Sequence, residues 1–212
     1  MKKIVVWGAS GHAMVIVDIL RLQGEFEIVG YLDDINSKHH GTMLQGLPIL
    51  GGRDQLTRLR DMGVGHFIIG VGHCEARLEL ADQVKLLGFK LASAVHPSAV
   101  IASDVLIKPG TVVAAGTVIN PGCEIGENVI VNTSSSIDHE CILGDGSHVS
   151  PGAHLAGRVV VGRATWVGLG ASISDHITIG NSTIVGAGSV VVRDLPDNVV
   201  AYGNPARVRK SR

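Results

Sequence analysis

Aromatic side chains are scarce in this chain: its 212 residues include only 2 Trp, 2 Tyr and 3 Phe. Glycine supplies 28 residues, roughly twice the usual share of about 7%, and 45% of the chain is hydrophobic. A core therefore has to be built from aliphatic side chains and close backbone contacts. Excess charge is lacking too. The formal net charge is −1, which removes the electrostatic reason to expect a nucleic-acid or membrane partner. No apolar stretch approaches the ~20 residues needed to span a bilayer. The 3 cysteines have no CxxC spacing, a pattern suited to a reducing cytoplasm. The opening Met1–Trp7 reads as a β-strand and not a signal peptide, because Gly8, Ser10 and His12 interrupt the apolar run.

What is present divides at about residue 90. Residues 1–90 alternate strand and helix patterns: strands at Ile4–Trp7, Glu27–Leu32 and His66–Val71, helices at Met14–Leu22 and Glu75–Leu87. That alternation implies a small parallel α/β sheet. From Val95 to Val191 every sixth residue is Val, Ile or Leu, without a slip. A period of 18 lies inside this one, carried by Gly126, Gly144, Gly162 and Gly180, and at another place in the hexad by Gly152, Gly170 and Gly188. Three hexads make one coil of a parallel β-helix, and the glycines are expected where a Cβ would crowd a corner. The fold class is α/β plus all-β. A Rossmann-like domain is expected over 1–90, a β-helix over 91–197 and a tail over 198–212.

His139-Glu140 is the sharpest chemical candidate. In a repeat dominated by small residues, a neutral imidazole beside a carboxylate suits general-base work on an amine or hydroxyl attacking a thioester. The alternative is a solvated pair on a β-helix wall. Cys141 suggests a Cys–His nucleophile, but Cys123 occupies the same place one coil earlier, in a column of small residues, so Cys141 reads as core. His148 follows His139 by half a coil, which points the two to different sides of the prism. His139, His148, His154 and His176 invite a zinc reading, although their spacings match a metal site poorly. Near the amino terminus, Gly8-Ala9-Ser10-Gly11-His12-Ala13 follows a strand and opens a helix, where backbone N–H groups can hold a phosphate. It departs from G-x-G-x-x-G at Ser10 and Ala13, and a purely structural turn remains open. Asp33-Asp34 ends the second strand, where an acidic side chain can bind a ribose hydroxyl.

The repeat, commonest as [LIV]-G-x-x-x-x, resembles the hexapeptide-repeat acyltransferases, whose coils form a left-handed β-helix. Together with Gly8–His12, Leu32-Asp33-Asp34, Asn132–Ser135, His139-Glu140-Cys141 and Ser147–Ser150, the whole chain resembles the bacterial nucleotide-sugar N-acetyltransferases. Those acting on UDP-4-amino-4,6-dideoxy-N-acetylglucosamine to give UDP-N,N′-diacetylbacillosamine are most similar, and sialic-acid O-acetyltransferases share the architecture. The resemblance implies an acetyl-CoA-dependent enzyme without a metal, cytoplasmic and homotrimeric, with active sites between subunits. It makes His139 the base and Glu140 its partner. Ser10, Gly11, His12, Asp33, Asp34 and Gly72 would hold the nucleotide-sugar, and His148, Leu169 and Ala187 would line the acetyl-CoA cleft. Asp138 stands where related sequences have Glu. Readings kept beside this one are O-acetylation of a sialic acid, N-acetylation of a GDP- or dTDP-amino sugar, and a non-catalytic nucleotide-binding scaffold.

The charge is uneven. Residues 95–206 carry 4 Lys/Arg against 9 Asp/Glu, while Arg207, Arg209, Lys210 and Arg212 crowd the carboxyl end. A contact with a CoA phosphate and a solvated basic end are equally consistent with that run.

Overall fold

The structure is a computed structural model describing residues 1–212. It forms two compact units, Met1–Pro97 and Ser98–Arg212. No helix is long and apolar enough to cross a membrane.

In the first unit the apolar run after Lys2 forms β1 (Lys2–Trp7), followed by α1 (Gly11–Gln23), β2 (Phe26–Leu32), a short hairpin of β3 (Met43–Leu44) and β4 (Leu47–Pro48), α2 (Leu56–Asp61), β5 (Val64–Ile69), α3 (Cys74–Leu86) and β6 (Lys90–Leu91). The sheet is parallel with order β2-β1-β5-β6. The chain runs outward from β1 to β2 and then returns to β1's other side as β5, so the strand order reverses between β1 and β5. Ligands of open α/β sheets bind at such a reversal, beyond the carboxyl ends of the strands. Alternate residues of β1 serve the two faces. Val5 and Trp7 join Phe67, Ile69, Ala81, Val84 and Phe89 in one buried cluster. Val6 faces the other side, where a Cβ on Gly70 would meet both Val6 and Ala13 of α1. Five of the seven aromatics lie in this unit, with Phe67 packed between Trp7 (ring centroids 6.0 Å apart) and Phe89 (4.8 Å).

The second unit is a left-handed parallel β-helix. Each hexad contributes a two-residue strand, and strands 18 residues apart pair in register on three faces: Val118 with Ser136, Glu124 with Ile142, Ile130 with His148. The hexad anchors from Val113 to Val191 are buried, making the aliphatic axis that the period requires.

The two glycine columns do different work. A Cβ on Gly162 would stand 2.5 Å from the carbonyl carbon of Gly180 in the next coil, so this column is glycine for lack of space. Gly170 has φ +63 and nothing within 4 Å of its would-be Cβ. That column is glycine for its left-handed backbone, not for crowding as the periodicity alone suggested. Residues 198–212, expected as a tail, are ordered as a hairpin instead. Val199–Gly203 joins the face carrying His148, and Ala206–Ser211 pairs antiparallel with it. The sequence contains alternating polar and aliphatic residues here, but the turn at Asn204-Pro205 is too short to stand out from a tail.

Candidate functional site

His139 and Glu140 sit at the corner that follows the strand Ser136–Ile137. Asp138 shapes this corner: its Oδ1 accepts the backbone N–H of His139 (2.8 Å) and an amide N–H of Asn120 from the preceding coil (2.8 Å). A short carboxylate reaches its own following N–H in this way, which gives the Asp at this place a structural reason. The Asn120 bond, then the bond from His139, hold the Asp138 carboxyl below its usual range. Glu140 takes the left-handed turn position (φ +59), uncommon for a residue with a long side chain.

The Nδ1 of His139 lies 3.0 Å from Oε2 of Glu140, with both side chains about half exposed, at 52% and 53%. In the neutral ring Nδ1–H donates to the carboxylate, leaving the Nε2 lone pair free to accept a proton. Arg158, one coil on, donates from Nε to the same Oε2 at 2.9 Å. That bond first, and the one from His139 second, hold the Glu140 carboxyl below its usual range. The carboxylate therefore stays ionised and able to stabilise an imidazolium. Arg158 was missed in the sequence, although its place 18 residues after Glu140 is a signal the coil period carries.

Cys141, next in the chain, is fully buried and donates to the carbonyl of Ala156 (3.2 Å). Contact with Cys123, then burial, push its thiol up. It is the core residue that the column of small residues predicts. His154 bonds Ser136 on the wall (2.8 Å), and no group of three or more His, Cys, Asp or Glu converges as metal ligands.

His148 lies on a different face from the strand that leads into His139, as half a coil of separation requires. It lines a largely apolar cavity of about 410 Å³ with Ser150, Pro151, Trp166, Gly168, Leu169 and Ala187 among the other walls. His148, Leu169 and Ala187, far apart in sequence, thus share one cavity. Trp166, which also lines it, and Asn132, which bonds His148 from outside that lining, were assigned no role in this cleft from the sequence. Trp166 stacks on His148, with ring centroids 5.5 Å apart and planes at 8°, and donates to Ser150 Oγ (2.7 Å). Asn132 lies 3.2 Å from His148 Nε2; its amide donates there, which puts the imidazole proton on Nδ1.

In the first unit a second cavity of about 180 Å³ opens at the strand-order reversal, lined by Gly8, Ser10, Asp33, Asp34, Ile35 and Gly72 among others. This is smaller than the ~300–1,000 Å³ of typical small-molecule pockets, so it fits part of a nucleotide-sugar. Four of the six predicted contacts, Ser10, Asp33, Asp34 and Gly72, line it; Gly11 and His12 stand just beyond, in the first turn of α1. The departure from G-x-G-x-x-G has a packing explanation. A Cβ on Gly70 would stand 2.8 Å from that of Ala13, so the glycine that lets helix and strand approach closely belongs to β5's end.

Both aspartates already have internal partners. Asp33 is 7% exposed and accepts the N–H groups of Ile35 (2.9 Å) and Asn36 (3.1 Å). Asp34 accepts from Trp7 Nε1 (3.0 Å), Arg53 N (2.8 Å) and Arg53 Nη2 (3.2 Å). Each can contact a ligand only through the lone pairs these bonds leave. Arg77, 1% exposed, donates to the carbonyls of Val71 (3.1 Å) and Gly72 (2.8 Å) and so fixes the opposite rim. His12 is half-buried, its enclosed Nε2 has no hydrogen-bond partner, and desolvation first, then the Arg77 charge, lower its pKa from 6.5 to about 4.

Comparison with known proteins adds four findings. A family model described as the PglD N-terminal domain matches residues 3–84. A histidine-to-asparagine mutant of perosamine N-acetyltransferase from Caulobacter crescentus, in complex with CoA and GDP-perosamine, is 38% identical, with 100% of this chain and 98% of that one covered and a TM-score of 0.94. The acetyltransferase domain of PglB from Neisseria gonorrhoeae FA1090, in complex with acetyl coenzyme A, is 34% identical over 98% of this chain and 99% of that one, with a TM-score of 0.91. WeeI from Acinetobacter baumannii AYE is 26% identical over 99% and 100%, with a TM-score of 0.86.

Proposed function

The chain belongs to the hexapeptide-repeat nucleotide-sugar N-acetyltransferases, and on that footing we propose that it acetylates the 4-amino group of a UDP-linked 4-amino-4,6-dideoxy sugar with His139 as general base. It is an acetyl-CoA-dependent acetyltransferase acting on a sugar amine carried by a nucleotide. The product on this reading is a UDP-N,N′-diacetylbacillosamine-type sugar.

The observation that carries the assignment of the base is the 3.0 Å contact between His139 Nδ1 and Glu140, which leaves Nε2 as the free basic nitrogen. The sugar amine attacks the thioester carbonyl and forms the C–N bond. Nε2 takes the proton that the nitrogen must lose, and Glu140 stabilises the resulting imidazolium. Collapse of the tetrahedral intermediate breaks the C–S bond and releases CoA, whose sulfur takes the proton back from the His139 imidazolium and so restores the base. The cavity lined by His148, Leu169 and Ala187 has the apolar walls and few polar groups suited to the pantetheine arm and thioester. A backbone N–H or His148 is assigned to steady the developing oxyanion; because Nδ1 of His148 is buried in the chain, that role falls first to backbone donors. Since His139 and His148 belong to different sides of one prism, the reading includes a homotrimer in which one subunit's His139 meets a neighbour's acetyl-CoA cleft. Ser10, Gly11, His12, Asp33, Asp34 and Gly72 are assigned to the nucleotide-sugar.

A second reading, acetylation of a GDP-linked amino sugar, draws support from the GDP-perosamine held by the relative 38% identical to this chain. The experiment is a panel of UDP-, GDP- and dTDP-linked 4-amino sugars, and of sialic acid, each with acetyl-CoA, scored by release of CoA thiol. Turnover with the UDP sugar at the highest kcat/KM is expected. A GDP-sugar preference replaces the first reading with the second, and nucleotide binding without thiol release marks a scaffold.

A further inference from the structure

We infer that Gly157-Arg158, one coil beyond the His–Glu pair, is the platform that positions it, with Gly157 setting where the imidazole lies and Arg158 holding Glu140. The inference rests on the reading of His139 as the base.

Three contacts join the two dipeptides. The backbone N–H of Arg158 donates to the carbonyl of His139 at 2.9 Å. Its side-chain Nε donates to Glu140 Oε2 at 2.9 Å. The His139 ring lies against Gly157 so closely that a Cβ there would stand 2.5 Å from both Cε1 and Nε2 and 3.2 Å from Cδ2. Those three ring atoms are the nearest neighbours of that Cβ, and Gly157 is absent from the positive-φ residues of the chain. Its backbone is therefore not in the left-handed region that favours glycine, and what a Cβ there would meet first is the ring, not main chain. The absence of a Cβ at 157 leaves room for the edge of the imidazole that carries Nε2.

Arg158 is itself held. Its Nη1 lies 3.3 Å from Nε2 of His176, the next residue in the same column of turns, and His176 Nδ1 lies 3.0 Å from Asp175 Oδ2. Asp175, His176, Arg158, Glu140 and His139 therefore form a continuous line of hydrogen bonds along one corner. On the other side, Asp138 fixes the backbone N–H of His139, and the coil before supplies the neutral Asn120 and Gly122, whose N–H donates to Asp104. Arg158 is the one permanent cation in this group. It shares Oε2 with His139 and opposes positive charge on the imidazole. Its bond is the first cause that holds the Glu140 carboxyl below its usual range; without it that carboxyl takes a proton at higher pH and no longer orients the imidazole.

The test compares Gly157→Ala, Arg158→Gln, Arg158→Lys and His139→Ala in the full chain, measuring kcat, both KM values, the pH profile of kcat/KM and the melting temperature. Gly157→Ala is expected to lower kcat about 10- to 100-fold through displacement of the ring, with both KM values within about twofold and the melting temperature within about 2 °C. Arg158→Gln is expected to move the acid limb of the profile to higher pH by about half a unit, and Arg158→Lys, which keeps the charge, to return most of that shift. A merely structural role would lower the melting temperature and leave the limb in place. Wild-type kcat in Gly157→Ala with an unmoved limb in Arg158→Gln, while His139→Ala is inactive, overturns the platform alone. An active His139→Ala overturns the base assignment beneath it.

Discussion

The rings of His148 and Trp166 lie almost parallel, 8° apart in plane with centroids separated by 5.5 Å, on paired strands of one β-helix face. Pairing at 18-residue spacing places them there, so the single aromatic of the repeat stands in the wall of the cavity assigned to acetyl-CoA. Aromatic pairs contribute about 0.5–1.5 kcal/mol beyond their buried area, and the indole also offers an apolar surface to the ligand. Trp166→Ala should raise KM for acetyl-CoA by about 5- to 20-fold and change KM for the nucleotide-sugar less than twofold. Steady-state kinetics with each substrate varied in turn checks this; an increase confined to the sugar KM would contradict the cleft assignment.

The two glycine columns should respond differently to the same substitution. At Gly162 a new Cβ meets backbone at 2.5 Å, and rigid stacked coils cannot yield cheaply. Overpacking of this kind costs about 1–3 kcal/mol, and at a few degrees per kcal/mol for a chain of this size Gly162→Ala should lower the melting temperature by about 4–10 °C. At Gly170 the space is open and only the backbone at φ +63 objects. Gly170→Asn, a residue that tolerates this conformation, should cost less than about 1 kcal/mol. Thermal melts of both variants decide the matter, and equal losses would refute the distinction.

Acid should weaken the first unit through His12. Its pKa falls from 6.5 to about 4 on folding, so between those values the unfolded chain binds the extra proton. Stability then rises with pH across that window, is fully present above about 6.5 and is lost as pH falls towards 4. At 1.36 kcal/mol per unit the contribution is at most about 3–4 kcal/mol. Urea unfolding at pH 7 and pH 4.5 should show a larger loss for the wild type than for His12→Asn. Parallel losses in the two proteins would show that His12 does not fold uncharged.

Much of this was legible because the repeat converts position into geometry. The hexad anchors Val113 to Val191 had to face inward, and a His–Glu pair at a corner had to stand out from small neighbours. Partnerships one coil away follow from the same arithmetic: Arg158 lies 18 residues after Glu140, Trp166 after His148, and Asn120 before Asp138. They were overlooked because Arg and Asn on an exposed wall are ordinary in isolation. The first unit offers no such rule. That Asp34 bonds Trp7 and Arg53, or that Asp33 caps its own loop, depends on tertiary contacts across 2 to 27 residues with no period to mark them. The helix Leu56–Asp61 and the hairpin of Met43–Leu44 with Leu47–Pro48 are too short to imprint a hydrophobic pattern.

General-base catalysis by His139 is the claim on which the rest depends, and single-turnover acetyl transfer by His139→Ala tests it most directly. Removing a positioned general base typically costs 10²–10⁴-fold, while the turn keeps its shape through Asp138 and the backbone of Arg158. The account predicts a loss of about 10³-fold in the rate of acetyl transfer, with binding of acetyl-CoA and nucleotide-sugar retained. A rate within about tenfold of the wild type, at equal occupancy of both substrates, would contradict it.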